Sequence, residues 1–194
     1  MGAEKEKNGM DPQMALKRLQ EGNQAYLDAV CAKGDISPAI RRKTCQKEQH
    51  PYAVIVTCSD SRVIPESIFC AGIGELFVIR IAGNVMDDHQ LGSVEYAVQH
   101  LGCRLILVMG HTHCGAVDAA IHHAPEEGYI KFITDEIKRA IGEETDEEKA
   151  SRLNVANSVR KIESCLGIRQ TEEDGGLKVA GALYHLESGE VEFF

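Results

Sequence analysis

Three largely apolar runs, Tyr52 to Thr57, Leu76 to Ile81 and Arg104 to Met109, alternate with stretches in which apolar residues recur every three or four positions. The runs are short and rich in β-branched residues, which predicts strands buried on both faces. Asp11-Pro12 has the form of an N-cap followed by proline at the first helical position. It opens an amphipathic helix to about Ala29, with Met14, Ala15, Leu19, Tyr26, Leu27 and Val30 at helical spacing. Ser37-Pro38 is a weaker start that leads into a short basic helix. Helical spacing also predicts a helix over His89 to Leu101, with Val94, Ala97, Val98 and Leu101 inward, and further helices over 115–124, 129–141 and 147–165. Lys178 to Leu186, the turn residues Ser188-Gly189, and Val191 to Phe194 read as a closing β-hairpin. Strands alternating with helices predict an α/β fold with a mostly parallel central sheet flanked by helices. In such sheets ligands bind beyond the carboxyl ends of the strands.

Composition narrows this picture. A chain of 194 residues with 43% hydrophobic content suits one domain over residues 1–194. A net charge of -9 and the lack of a basic stripe exclude a general nucleic-acid binder. No stretch approaches the ~18 continuous apolar residues of a membrane span. Met1 to Glu6 holds no apolar signal core, so a cytoplasmic protein is expected. The acidity concentrates in Glu143 to Glu148, expected as a solvated loop and helix start. Seven cysteines at irregular spacing do not form a disulfide framework. Cys31, Cys45, Cys70, Cys103 and Cys165 are expected as small buried apolar residues. Cys58 and Cys114 differ, because each sits at a strand end beside other ligand-type side chains.

Those two cysteines lie in Cys58-Ser59-Asp60-Ser61-Arg62 and His111-Thr112-His113-Cys114-Gly115. Each segment follows a predicted buried strand. Together they offer two thiolates, an imidazole and a carboxylate, a zinc ligand set. Each half alone is a weak signal; their joint placement after two buried strands is a strong one. Asp60 has two courses open to it. It can bind the metal and close the site, or pair with Arg62, whose planar guanidinium holds a carboxylate bidentately, and orient the attacking water. With two thiolates and a neutral imidazole the centre is formally neutral. It should therefore need a somewhat higher pH to activate water than a zinc held by three histidines. His113 reads as a surface or hydrogen-bonded histidine, and His122-His123 as a helix end.

At these residues the chain resembles the β-class carbonic anhydrases. Cys58-Ser59-Asp60-Ser61-Arg62-Val63 with Pro65-Glu66 is similar to the family's first zinc motif. Gly110-His111-Thr112-His113-Cys114-Gly115-Ala116-Val117 is similar to its second. Between them, Gly74 to Val78 with Arg80 and Ala82-Gly83-Asn84 resembles its central strand, and Ser93 to Val98 its following helix. Leu19 to Asn23 and the C-terminal hairpin are fainter echoes. The resemblance implies one Zn2+ per chain on Cys58, His111 and Cys114, with Asp60 a ligand only in a closed state. It implies a catalytic Asp60–Arg62 dyad, with Gln49, Phe77, Ala82, Tyr96 and the Gly115 amide lining the substrate site. The implied reaction is reversible hydration of carbon dioxide to bicarbonate and a proton, with Gln49 donating to a substrate oxygen. A homodimer or higher homo-oligomer follows, with residues 1–35 as a helical arm on the neighbouring subunit.

The chain also departs from the family. Some bacterial members use a tryptophan shortly before the first zinc cysteine in a bicarbonate regulatory site. This chain has no tryptophan and carries Ile55 in that region, so such regulation is not expected even though Arg80 is present. Ala82 replaces the valine of plant members, which makes the pocket roomier. Relatives with the same ligands hydrolyse carbonyl sulfide or carbon disulfide, and a zinc module without turnover is a third reading. The presence of Asp60, Arg62 and Gln49 argues against the last, since a structural zinc needs none of them.

Overall fold

The computed structural model describes residues 9–30, 33–46, 49–122, 127–173 and 176–194, and it places the three apolar runs side by side. Strands β1 (Ala53–Thr57), β2 (Leu76–Arg80), β3 (Leu105–His111), β4 (Lys178–Tyr184) and β5 (Val191–Phe193) form one sheet in the order β2-β1-β3-β4-β5. Neighbours run parallel except β4 and β5, which form the antiparallel closing hairpin. Every residue of β1 and β3 is buried, as continuous apolar runs require.

Side chains alternate across the sheet and build two cores. Val54, Val56, Ile106 and Val108 pack with residues of helices α4 (Asp88–Leu101), α7 (Glu147–Ser164) and α8 (Leu166–Glu173). Ile55, Leu107, Met109 and Ala182 pack on the other face with Ala15 and Leu19 of α1 (Pro12–Leu27). Burial of each of the larger aliphatic side chains contributes about 1.5–3 kcal/mol.

Local chemistry holds α1 at both ends. The Asp11 carboxylate accepts from the N–H groups of Gln13 at 2.9 Å and Met14 at 3.1 Å, with Pro12 opening the helix. Buried Asn23 donates to the carbonyl of Gly189 and accepts from the N–H of Val191, each at 2.9 Å. Those two bonds fasten α1 to the closing hairpin. Gly22 allows the approach: a Cβ there would lie 2.1 Å from the Phe69 carbonyl oxygen.

The remaining longer helices are α2 (Pro38–Gln46), α5 (Gly115–His122) and α6 (Ile130–Ile141). Two short helices lie outside the sequence expectation. The four-residue α3 (Pro65–Ile68) is too brief to show a period, and α8 follows α7 after an extended residue, Cys165 (ψ 123°). β3 also runs past the apolar pattern to His111, because Gly110 and His111 pair with Leu183 and Tyr184 of β4. Among the other cysteines, Cys103 is buried, Cys70 and Cys165 are half-buried, and Cys31 lies outside the described residues. Cys45 departs from the expectation of burial: it is exposed, on a helix that buries none of its residues. Among the described residues no helix is long and apolar enough to cross a membrane.

Candidate metal centre

Parallel pairing of β1 with β3 brings their carboxyl ends together, and the Thr57 hydroxyl reinforces the register by donating to the Met109 carbonyl at 2.8 Å. Cys58 is the first residue beyond β1, and His111 is the last of β3. The chain then turns through His113, in the left-handed region at φ 54°, so that Cys114 stands at the head of α5. The N–H groups of Val117 and Asp118 bond to the Cys114 carbonyl, which starts that helix. One donor atom each from Cys58, His111 and Cys114 lies within 4.8 Å of the others, and all three residues are buried.

The donor set suits zinc. His111 Nδ1 is engaged with the Thr112 carbonyl at 2.9 Å, which makes Nδ1 the protonated nitrogen and leaves Nε2 with a lone pair. That Nε2 is fully buried with no hydrogen-bond partner, the state expected of an atom whose mate is a metal ion. Cys58 Sγ accepts from the Gly83 N–H at 3.3 Å. The Cys58 thiol is held well below the ordinary range by its hydrogen bond to Cys114, aided by His111 and the N–H groups of Gly83 and Asp60. Cys114 is pushed the other way by the same hydrogen bond, by burial and by the neighbouring sulfur charge. A dication binding both sulfurs requires both as thiolates, so metal binding there would release protons.

Asp60 faces the cluster but is committed to Arg62. Its Oδ1 accepts from the Arg62 backbone N–H at 2.9 Å and from Nε at 3.0 Å, while Oδ2 accepts from Nη2 at 2.7 Å. The Arg62 guanidinium holds the carboxyl down to about 2. Oδ2 is 3.9 Å from His111 Nε2, too far for a hydrogen bond, and Asp60 stands outside the three-donor group. In this structure Arg62 holds the Asp60 carboxylate from both oxygens. Arg62 Nη2 also donates to the His113 carbonyl at 3.2 Å, so one guanidinium ties the two ligand-bearing loops together.

Some residues that hold this arrangement were not legible as site residues. Arg80 donates to the carbonyls of Cys58 at 3.2 Å and Asp60 at 2.7 Å, and so braces the first loop. Buried Asn154 and Ser158 of α7 donate to the carbonyls of Gly83 at 2.7 Å and Asn84 at 2.9 Å. They hold the 3₁₀ turn Ala82–Asn84, which delivers the Gly83 N–H to Cys58. The available signal was a polar series, Ser151, Asn154 and Ser158, on the inward face of a helix.

The expected pocket residues divide into two groups. Gly115 opens α5 directly after Cys114, and Ala82 opens the 3₁₀ turn whose Gly83 N–H bonds Cys58 Sγ. Phe77 and Tyr96 pack on each other at 6.3 Å between ring centroids, on edge strand β2 and helix α4, and Tyr96 is 47% exposed. Gln49 is exposed ahead of β1. His113 is exposed and faces Glu147 at 3.7 Å; His122 ends α5 as expected, and His123 lies outside the described residues.

A buried metal-binding trio beside a fixed carboxylate, at the carboxyl edge of a parallel sheet, has the chemistry of a zinc lyase. Comparison with known proteins names the family. The carbonic anhydrase family model matches residues 53–191. A carbonic anhydrase of Mycolicibacterium smegmatis is 34% identical, covering 94% of this chain and 93% of its own. Carbonic anhydrase 2 of Mycobacterium tuberculosis is 33% identical, covering 92% and 91%. Among solved structures, the β-carbonic anhydrase CcaA superposes with a TM-score of 0.73 at 26% identity, over 94% of each chain. The Sordaria macrospora β-carbonic anhydrases, described as tetrameric, share the fold at 22% identity and a TM-score of 0.72, over 94% of each chain. The chain belongs to the β-class carbonic anhydrases, and its activity is the zinc-dependent hydration of carbon dioxide.

Proposed function

We propose that Cys58, His111 and Cys114 hold the zinc, one ion per chain, and that Asp60 and Arg62 orient the attacking oxygen. Bound there, zinc supplies the Lewis acidity that makes water a nucleophile near neutral pH. The observation that carries the reading is the bidentate Asp60–Arg62 pair beside the buried, unpartnered Nε2 of His111. Arg62 fills both acceptor directions of Oδ1 and one of Oδ2. The remaining lone pair of Oδ2, on the His111 side, accepts from the attacking oxygen and turns its free lone pair toward carbon dioxide. An ionised carboxylate only accepts, so it fixes that orientation without competing as a donor.

Gln49, Phe77, Ala82, Tyr96 and the Gly115 amide line the substrate site in this proposal, with Gln49 donating to a substrate oxygen. Phe77 and Tyr96 supply apolar walls for a linear, uncharged molecule. The exposure of Gln49 and Tyr96 supports a pocket completed by a second copy of the chain. Met14 at 63% and Val30 at 77% exposure, on and just beyond α1, give the N-terminal arm an apolar surface for that copy to cover. The assembly is a homodimer or higher homo-oligomer, which light scattering would report; an active monomer at micromolar concentration would contradict it. Free thiols among the described cysteines fit a reducing, cytoplasmic setting.

Asp60→Asn and Arg62→Ala test the dyad. Both should keep zinc while kcat/KM falls by about 10²-fold or more. Near-normal turnover in both would overturn the assignment.

A further inference from the structure

We propose that Asn84, Ser151 and Asn154 bind one internal water molecule between helix α7 and the 3₁₀ turn that supports Cys58. Asn84 Nδ2, Ser151 Oγ and Asn154 Oδ1 are buried and have no hydrogen-bond partner among the described residues. The three residues are 2%, 3% and 1% exposed, so bulk solvent does not satisfy them. A buried polar atom left unpaired is costly, and native proteins supply it with a protein partner or an ordered water. The elements that carry the trio already touch. Asn154 Nδ2 donates to the Gly83 carbonyl at 2.7 Å, and the Ser158 hydroxyl donates to the Asn84 carbonyl at 2.9 Å. Ser151, Asn154 and Val155 lie within about one turn of each other on α7, and all three are buried. Asn84 reaches that face of the helix. A Cβ on Gly110 would stand 2.7 Å from Val155 Cγ2 and 3.7 Å from Asn84 Oδ1.

The mixture of donors and acceptors selects the ligand. An amide Nδ2 only donates, an amide Oδ1 only accepts, and a hydroxyl does either. A metal ion would meet a donor in Nδ2, and an anion would meet an acceptor in Oδ1. Water matches all three, because it accepts from Nδ2, donates to Oδ1 and exchanges a bond with Oγ in either sense. The orientation of Asn154 is not free to reverse, since its Nδ2 is committed to the Gly83 carbonyl. That commitment also holds Oδ1 in place as the acceptor for the water. The bound molecule would complete the buried hydrogen bonding between α7 and the turn whose Gly83 N–H bonds Cys58 Sγ.

A crystal structure of the zinc-loaded full chain, at a resolution that shows ordered water, tests the geometry. One water should stand within about 2.7–3.2 Å of Asn84 Nδ2, Ser151 Oγ and Asn154 Oδ1. Magnetic relaxation dispersion of labelled water tests the same site in solution, because it counts slowly exchanging molecules. Ser151→Ala removes one partner and should shorten the residence of one such water by about fivefold or more. Ser164→Ala, which removes an exposed hydroxyl from the same helix, should match the wild type. A crystal structure with no water among the three atoms would overturn the proposal, and so would direct hydrogen bonds that pair them with one another or with backbone carbonyls. A Ser151→Ala signal equal to that of the wild type, or an equal change in Ser164→Ala, would also overturn it.

Discussion

The side-chain amide of Asn154 donates to the carbonyl oxygen of Gly83 at 2.7 Å, and the N–H of that same glycine donates to Cys58 Sγ at 3.3 Å. A helix far along the chain thereby positions the backbone that supports the Cys58 sulfur. Asn154→Ala leaves a buried carbonyl without its donor, which should cost about 1–3 kcal/mol and lower the urea midpoint. An unchanged midpoint would show that the bond carries no load.

Gly83 should be the least replaceable glycine of the site. Its φ is 65°, and a Cβ there would meet Ile137 Cδ1 at 2.7 Å and Ala116 Cβ at 3.1 Å. Gly83→Ala should destabilise the fold by about 1–3 kcal/mol and weaken zinc retention. Gly115→Ala is the contrast: a Cβ there meets nothing within 4 Å, and the stability change should lie within about 1 kcal/mol, in the direction of helix propensity. Equal losses in the two variants, read from denaturation midpoints, would contradict this geometry.

Removing zinc should destabilise the folded chain, because His111 Nε2 is then buried without a partner. A ligand present at about a thousand times its Kd stabilises by ~4 kcal/mol, so chelation should lower Tm by several degrees. Cys58→Ser and Cys114→Ser should each lose most of the metal, since a serine hydroxyl cannot supply thiolate charge. Full zinc content in both, by atomic absorption, would remove these residues from the ligand set.

Two pH dependences follow from different groups. Hydrogen bonding to Arg62 lowers the Asp60 carboxyl from 3.8 to about 2, so its contribution to stability is complete above the higher value and lost as pH falls toward the lower. Asp60→Asn should therefore flatten the acid limb of the stability curve between those values. Activity should instead rise through roughly pH 7.5–8.5, because a formally neutral zinc centre acidifies water less than a cationic one. Asp60 is ionised across that range, so titration of its own carboxyl does not supply the rise. A flat rate from about pH 6 to 9 would contradict it.

Much of this was legible in the chain because strand and ligand signals coincide. The runs ending at Thr57 and Met109 have no polar face, which reads as buried parallel strands, and the ligand-type residues follow directly. Asp60 and Arg62 were legible because two residues of separation suffice for a bidentate pair. Arg80, Asn154 and Ser158 were not, since their hydrogen bonds reach backbone carbonyls that carry no sequence signature. The extension of β3 to His111 was hidden for a similar reason, because pairing with β4 decides it rather than an apolar side chain.

One comparison decides the substrate most directly: stopped-flow hydration of carbon dioxide and hydrolysis of carbonyl sulfide by a single zinc-loaded preparation. Sulfur is larger and a weaker acceptor than oxygen, so a Gln49 donor favours carbon dioxide even with the room Ala82 leaves. Carbon dioxide hydration should exceed carbonyl sulfide hydrolysis by at least roughly 100-fold in kcat/KM, or ~2.7 kcal/mol of transition-state stabilisation. Comparable efficiencies, or a preference for the sulfur compound, would contradict it.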